Sequence, residues 1–516
     1  MSVFDRRRSG LLLHLSSLPA PYGIGDMGRS ALAFLDFLHE AGQSIWQILP
    51  IHPTGYGNSP YSACSTFAGN PLFIDLDGLV ADGDLLDEDV APWRRDMAAT
   101  DYEYARRCRT ELLPLAARRF QDRAERARQA EFEAFCAEQS FWLDDYVLFQ
   151  ALRETFGHRS WNRWPADLRD REQQALDLWR SRLATRIAEL KYEQFVFFRQ
   201  WQRLRSAAAE KGVLLFGDLP IYIAHDSADT WCHRDLFRLD RQGRPEVVAG
   251  VPPDYFSVTG QRWGNPLYRW QRHLEQDFAW WRTRVRRALG LFDLVRVDHF
   301  RALSACWAIP AGAPDARSGH WEDSPGDALL AALQNECGEL PLVAEDLGVI
   351  TDDVVELRRR WQLPGMRILQ FAFDSGPDNP YLPENHTVDS VIYTGTHDND
   401  TCLGWWNGLE AGQRRKVLEH LRVPEQQVCR KLVSLALTSI GIFCILPVQD
   451  LLGLGSGARM NRPGRPEGNW TWRLPDCGLT EELARELHNM TAACGRTAAT
   501  QSPCPVTKER DKFAPV

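Results

Sequence analysis

The chain has 516 residues, of which 44% are hydrophobic and 25% are charged, as in ordinary globular proteins, and its length allows one large barrel with insertions or several domains. The net charge of −9 and the scattered arginines, with no basic tract longer than the three residues of 6–8, argue against a nucleic-acid partner. The 12 cysteines have no metal-site spacing, which predicts reduced thiols in the cytoplasm.

The start of the chain has no pattern of a targeting or membrane segment. Residues 1–8 are charged, and the apolar run 11–13 is far too short for a signal sequence or a membrane span. We therefore expect a soluble cytoplasmic protein with no membrane partner.

Short aliphatic runs that end in polar loops recur along the chain, and most are followed by a helical pattern such as 30–40 or 351–361. Another helix is predicted at 272–289. Eight of the aliphatic runs predict β-strands, at 10–15, 44–50, 213–218, 292–298, 341–346, 366–371, 390–393 and 441–447. An alternating series of this count predicts an α/β fold, a closed (β/α)8 TIM barrel.

Two departures from this alternation predict insertions. Residues from about 87 to 206 have helical periodicity and little β signal, and the stretch 220–268 is rich in loops. We expect four parts: 1–60 as the first part of the barrel, 61–206 as a mostly helical insertion, 207–493 as the rest of the barrel with the loops of 220–268, and 494–516 as a poorly ordered tail.

Acidic residues follow four of the predicted strands, namely Asp218, Asp298, Glu345 and Asp398. The carboxyl ends of barrel strands meet on one rim, where four carboxylates would repel each other unless protonated, paired or bound to a cation. Arg296 lies two residues before Asp298 and so shares a strand face with it, which predicts an ion pair.

A metal site is one chemistry that fits this rim. Suitable ligand types are offered by Asp298, His299, His397, Asp398 and Asp400. The two histidines, however, lack the spacing of a known zinc motif.

Glycosyl transfer through paired carboxylates is the other chemistry, with one acid as nucleophile and a second as proton donor. Arg296 would keep Asp298 ionised at neutral pH. Apolar neighbours and a nearby carboxylate would raise the pKa of Glu345. These different environments would separate the nucleophile from the proton donor without a metal or any other cofactor.

Several motifs stand in the order found in one known family. They are HPTGYGNSPY at 52–61, GDLPI at 217–221, VPPDYF at 251–256, RVDHFR at 296–301, AEDLG at 344–348, THDND at 396–400 and RMN at 459–461. Across residues 11–473 the chain resembles the 4-α-glucanotransferases of the amylomaltase (disproportionating enzyme) type, glycoside hydrolase family 77, relatives of the α-amylases.

The resemblance implies roles for particular residues. Asp298 matches the nucleophile, Glu345 the acid/base, and Asp398 the third acid, which binds the 2- and 3-hydroxyls of the sugar. The residues implied in substrate binding are Tyr61, Asp218, Tyr255, Phe256, Trp263, Arg296, His299, His397 and Asn461.

The same resemblance implies retaining transfer of α-1,4-glucan segments between malto-oligosaccharides, starch or glycogen chains, by a monomer or small homo-oligomer. An α-glucan hydrolase of the same clan, a metal-dependent barrel hydrolase and an inactive glucan-binding protein are the alternatives. The three acids do not distinguish transfer from hydrolysis, because both reactions use them and differ in whether sugar or water reaches the intermediate.

Overall fold

The computed structural model describes residues 2–253, 257–465 and 467–497. Its strands are β1 (Arg8–Leu12), β2 (Ile45–Gln47), β3 (Leu214–Pro220), β4 (Val247–Val251), β5 (Gln261–Pro266), β6 (Leu294–Asp298), β7 (Ala305–Pro310), β8 (His320–Asp323), β9 (Leu342–Ala344), β10 (Gly365–Ile368), β11 (Ser390–Tyr393) and β12 (Phe443–Pro447).

Eight of these strands form one parallel sheet in the order β10-β11-β12-β1-β2-β3-β6-β9. The backbone N–H of Ala344 in β9 donates to the carbonyl of Pro364, next to β10, at 2.8 Å. The sheet is therefore a nearly closed barrel, and the eight predicted strands and the predicted TIM-barrel class are confirmed.

The α-helices surround this barrel. They are α1 (Arg29–Glu40), α2 (Leu76–Ala81), α3 (Asp87–Val90), α4 (Tyr102–Arg123), α5 (Arg126–Glu138), α6 (Ser140–Thr155), α7 (Ala166–Arg169), α8 (Gln173–Arg182), α9 (Ala184–Glu210), α10 (Ala228–Cys232), α11 (Trp270–Glu275), α12 (Ala279–Leu291), α13 (Gly326–Cys337), α14 (Asp352–Arg360), α15 (Cys402–Gly408), α16 (Ala411–Leu421), α17 (Val428–Thr438), α18 (Val448–Leu451) and α19 (Glu481–Ala493). None of the helices in the described ranges has both the length and the apolar character needed to cross a bilayer.

The stretch between β2 and β3 contains α2 to α9, as its helical periodicity predicts. Its longest helix, α9, packs on the barrel helices, and the Trp201 indole N–H donates to the Leu291 carbonyl at 3.1 Å. A buried arginine of α4, Arg109, donates to the carbonyls of Tyr22 and Ile74 at 2.8 and 3.1 Å. These contacts fix the helical stretch against the loop that follows β1.

The loop-rich stretch 220–268 is more regular than its sequence predicts. It contributes β4 and β5 to a four-stranded antiparallel sheet with β7 and β8, in the order β5-β4-β7-β8. The outer strands β5 and β8 are polar, so neither has the aliphatic run that predicts a strand. They exist because β4 and β7 supply paired backbone partners in the centre.

The prediction of a single helix at 272–289 is wrong, because the chain forms the two helices α11 and α12 instead. Asp277 and Phe278 lie between them with φ of +48° and +53°, the left-handed region that ends a helix. The Phe278 side chain is buried, so packing stabilises the break.

The end of the described chain packs on the bottom of the barrel. Arg496 has no exposed surface, and its guanidinium donates to the carbonyls of Leu437, Ser439 and Gly441 at 2.7, 2.6 and 2.8 Å and to the carbonyl of Arg8 at 2.8 Å. The first residues of the predicted tail, 494–497, are thus anchored, while 498–516 lie outside the described residues.

Candidate active site

One arginine joins two of the strand-end acids. Asp218 of β3 lies directly opposite Arg296 of β6 in the barrel ladder. The Arg296 Nη1 donates to both Asp218 oxygens at 2.9 and 2.7 Å, and its Nη2 lies 2.7 Å from Asp298 Oδ1. Burial lowers the pKa of Arg296, but the two carboxylates outweigh it and hold that pKa well above its usual range. The guanidinium therefore remains a fixed positive charge beside Asp298.

The two carboxylates that share this arginine differ in access. The Asp218 side chain is fully enclosed, whereas 26% of the Asp298 side chain is exposed. Asp218 also accepts a hydrogen bond from the Tyr61 hydroxyl at 2.7 Å. Asp298 is thus the member of the pair that is open to a ligand, and Asp218 contacts Arg296 and Tyr61.

Glu345 follows β9 and is more deeply buried than Asp298. Its two oxygens accept hydrogen bonds from the backbone N–H groups of His299 and Leu347, at 2.7 and 3.0 Å. The pKa of the Glu345 carboxyl is raised to about 8, chiefly by burial and also by Asp298, against the opposing effects of Arg296 and the two N–H donors. A large share of this carboxyl is therefore protonated at neutral pH, as the apolar residues before it predict.

His299 has an unusual backbone conformation, with φ of +53° and ψ of +51°. This left-handed region is costly for a residue with a β-carbon and is found where the surroundings impose it. Here the backbone N–H of His299 donates to Glu345, and its ring packs edge-on against Trp263 with centroids 4.8 Å apart. Burial lowers the pKa of His299 to about 4, so the imidazole is neutral at pH 7.

Asp398 stands on the opposite part of the rim, after β11. Its Oδ1 accepts a hydrogen bond from Asn461 Nδ2 at 2.6 Å, and its Oδ2 lies 3.4 Å from His397 Nε2. Arg459 donates to the backbone carbonyl of Asp398 at 2.6 Å. With 44% of its side chain exposed, Asp398 is an open carboxylate held in one orientation.

Tyr61 connects the two parts of the rim. Its hydroxyl contacts Asp218, and its ring stacks on His397 with centroids 5.2 Å apart and an interplanar angle of 14°. Trp470 lies against both rings. Each predicted site residue within the described ranges therefore belongs to this one rim. Tyr255 and Phe256 lie outside the described residues.

Several residues of the site are absent from the sequence-based prediction. Gln47 of β2 accepts from the Tyr393 hydroxyl at 2.9 Å inside the barrel. His14, after β1, lines a cavity together with His397, and burial lowers its pKa to about 3. Gln47 and His14 are polar residues within or directly after aliphatic runs, which is the signal that could have identified them.

The rim has the chemistry of a carboxylate site. Within 2–253, 257–465 and 467–497, no three His, Cys, Asp or Glu side chains converge as metal ligands. What the rim provides is an exposed carboxylate paired with a fixed cation, and a second carboxyl that is substantially protonated at neutral pH. Such a pair can combine a nucleophile with a proton donor.

Comparison with known proteins gives a consistent result. The profile of the family described as 4-alpha-glucanotransferase matches residues 13–480. The chain is 48% identical to the 4-alpha-glucanotransferase of Thermus thermophilus, over 95% of this chain and 99% of that protein. It is 44% identical to the 4-alpha-glucanotransferase of Synechocystis, over 96% and 99% of the two chains.

A solved structure agrees with these matches. The amylomaltase from Streptococcus agalactiae in complex with acarbose has a TM-score of 0.93 and 35% identity, covering 96% of this chain and 100% of that one. The chain therefore belongs to the 4-α-glucanotransferase family and is an enzyme of glucan transfer.

Proposed function

We propose that this protein transfers α-1,4-glucan segments from a donor malto-oligosaccharide, starch or glycogen chain to the 4-hydroxyl of an acceptor glucan or glucose. The reaction is a double displacement with retention of configuration through a covalent glucosyl-enzyme intermediate. No metal or cofactor takes part. The relatives' names supply the substrate class, and the rim supplies the chemistry.

The observation that carries the proposal is the unequal environment of Asp298 and Glu345. Asp298 is open and lies 2.7 Å from the fixed positive charge of the Arg296 guanidinium. Glu345 is enclosed, and burial raises its pKa to about 8. Two carboxyl groups in contrasting environments are what an acid and a nucleophile on one rim require.

The first displacement uses both groups. Asp298 attacks the anomeric carbon of the donor glucose as Glu345 gives its proton to the leaving glycosidic oxygen. The bond between the anomeric carbon and that oxygen breaks, the reducing-end fragment departs with a new 4-hydroxyl, and the glucosyl group stays esterified to Asp298. Glu345 is now ionised.

The second displacement reverses these steps with a new acceptor. Glu345 takes the proton from the acceptor 4-hydroxyl, whose oxygen attacks the anomeric carbon, and the Asp298 ester bond breaks. Two inversions at one carbon restore the α-configuration. Glu345 regains the proton it gave, so the enzyme returns to its starting state.

The remaining rim residues hold the sugar and the catalytic groups. Asp398, oriented by Asn461, binds the 2- and 3-hydroxyls of the donor glucose and stabilises its positive charge in the transition state. His299 and His397 contact the same glucose. The carboxylate of Asp218 is enclosed, so its role is to hold the Arg296 guanidinium in place.

Aromatic side chains complete the substrate groove. Tyr61 is partly exposed and stacks on His397, and Trp263 lies at His299 with 38% of its surface exposed. Tyr255 and Phe256 remain predicted acceptor-side contacts. Transfer prevails over hydrolysis if these aromatic residues favour a sugar over water at the intermediate.

Incubation with maltotriose tests the proposal. Transfer produces glucose and longer chains at a constant number of reducing ends. A rising number of reducing ends would mean that the enzyme hydrolyses glucans instead of transferring them. No change in chain length would mean that the protein only binds glucans. Loss of activity on adding a chelator would favour the metal-dependent alternative.

The cellular setting is also a proposal. The eleven cysteines of the described residues are all free thiols, which fits a reducing compartment. We therefore propose that the protein is cytoplasmic. We also propose a role in starch, glycogen and maltodextrin metabolism. We further propose a monomer or small homo-oligomer. The division into barrel parts 1–60 and 207–493, an insertion at 61–206 and a tail from 494 remains our proposal for the domains.

A further inference from the structure

A tryptophan on the second sheet has one flat face directed to solvent. Trp321 of β8 is 38% exposed, whereas Arg301 is 5% exposed. The guanidinium carbon of Arg301 lies 3.7 Å from the centroid of the Trp321 ring. Because the buried guanidinium covers one face of the indole, the exposed surface of the ring is its other face.

The ring also packs against a second indole. Trp307 of β7 is the direct cross-strand partner of Trp321, and the two rings are 5.1 Å apart at 67°. The Trp307 indole N–H donates to the Ala316 carbonyl at 2.9 Å, and a β-carbon at Gly319 would lie 2.3 Å from the Trp307 ring nitrogen. Trp321 is thus a rigid platform, and rigid aromatic side chains lose little conformational entropy on binding.

The platform adjoins the catalytic rim. Arg301 is three residues beyond Asp298 and belongs to the same turn as His299, on which Trp263 packs. The loop between β7 and β8 is joined to the loop before β5, since Ala316 N–H donates to the Thr259 carbonyl at 3.1 Å. The exposed rings of Trp263 and Trp321 therefore flank a single turn of the chain.

A lone exposed tryptophan is ordinary on a protein surface. Trp321 differs because one face is covered by a cation, a second indole packs against it, and the turn at Arg301 leads to the nucleophile. Asp323 shares its strand face and offers carboxylate oxygens to hydroxyl groups. A flat apolar face bordered by a hydrogen-bond acceptor suits the face of a pyranose ring.

We infer that Trp321 is a binding subsite for a long α-glucan, on which a glucose unit remote from the scissile bond stacks while the chain extends from the rim past Trp263. This inference rests on the proposed function, because it extends the same groove. It predicts a preference for long chains that the catalytic acids by themselves do not provide.

The test is a pair of substitutions on the full-length enzyme, Trp321→Leu and Trp321→Phe. Leucine keeps an apolar cover on Arg301 but has no flat face, whereas phenylalanine retains one. The matched control is Phe141→Leu, which changes an aromatic residue that is 54% exposed on α6. The measurements are KM and kcat with maltotriose and with amylose, and the affinity for amylopectin in native gels.

We expect Trp321→Leu to raise KM for amylose and weaken amylopectin binding by roughly tenfold, the loss of one stacking contact, with kcat and all maltotriose constants unchanged. Trp321→Phe should recover most of the affinity, and Phe141→Leu should match the wild type. An unchanged KM for amylose would overturn the inference. So would equal losses with both substrates, which would mean that Trp321 only supports the turn at Arg301.

A further variant, Trp321→Met, keeps the inference testable if leucine prevents folding, because methionine also covers Arg301 and has no flat face. A fold-change in its amylose KM that is absent with maltotriose supports the subsite, and equal changes with both substrates reject it. Failure of the proposed function is a separate result, because the wild-type enzyme would then not disproportionate maltotriose.

Discussion

The backbone N–H of His299 donates a 2.7 Å hydrogen bond to the Glu345 carboxyl group, and His299 adopts a left-handed conformation in doing so. The residue after the proposed nucleophile thereby orients the proposed acid. Because Asp298 ends β6 and Glu345 directly follows the adjacent strand β9, small changes in that turn should affect both groups.

The first prediction concerns this backbone strain. His299→Gly and His299→Ala both remove the imidazole, but only alanine retains a β-carbon at positive φ. We expect the glycine variant to have the higher free energy of unfolding, by about 1 kcal/mol. Denaturant unfolding measures it. At Glu133, within α5, the order should reverse, with the glycine variant about 1 kcal/mol less stable than alanine. Equal stability of the two His299 variants would contradict strain at this position.

The second prediction concerns the pH dependence of activity. Glu345 must be protonated for the first displacement, and burial raises its pKa to about 8. kcat/KM for maltotriose should therefore be maintained below pH 8 and fall tenfold per pH unit above it. A pH profile with a stability control at each pH measures this limb. A basic limb beginning at pH 5 to 6 would mean that Glu345 ionises like an exposed carboxyl and is not held protonated.

The third prediction concerns the buried ion pair of Arg296 and Asp218. Arg296→Met leaves the enclosed Asp218 carboxylate without a cation, so we expect the free energy of unfolding to fall by about 3–5 kcal/mol. Adding Asp218→Asn to that variant should recover part of the loss, because the uncompensated charge is gone. The control is Arg430→Met, which removes an exposed ion pair with Glu486 and should cost below about 1 kcal/mol.

Equal losses in the two Met variants would show that the enclosed pair contributes no more than a surface pair. Activity gives a second readout, since Arg296→Met also removes the cation beside Asp298. The double variant should regain stability without regaining activity.

The fourth prediction concerns the anchor at the bottom of the barrel. Arg496→Met removes hydrogen bonds to three carbonyls in and after the last turn of α17, those of Leu437, Ser439 and Gly441, so we expect a loss of at least about 3 kcal/mol. Arg485→Met, an exposed position of α19, should change stability by less than about 0.5 kcal/mol. Thermal and denaturant unfolding measure both. A small effect at Arg496 would mean that water replaces the guanidinium.

The barrel could be predicted from the sequence because most barrel strands contain short aliphatic runs, and most of their residues are buried. The second sheet could not, since β5 and β8 are polar and acquire strand structure only by pairing with β4 and β7. In the same way, the local sequence pattern of 272–289 is that of one continuous helix. The break at Phe278 depends on where its side chain packs.

The acids of the site could be predicted because they end strands, where barrel geometry brings them to one rim. The pairing of Arg296 with Asp298 follows from the two-residue period of a strand. The enclosure of Asp218, the left-handed turn at His299 and the stacking of Tyr61 on His397 could not be predicted from local pattern, because each depends on contacts between segments far apart in the chain.

The central claim is that Asp298 carries the glucosyl group between donor and acceptor. The most direct measurement is mass spectrometry of a Glu345→Gln variant after reaction with an α-glucosyl fluoride, whose leaving group needs no proton. We expect a glucosyl ester that accumulates and maps to the peptide containing Asp298, and no adduct in an Asp298→Asn enzyme that is otherwise folded. An adduct on another residue, or turnover of the fluoride by the Asp298→Asn enzyme at the wild-type rate, would contradict it.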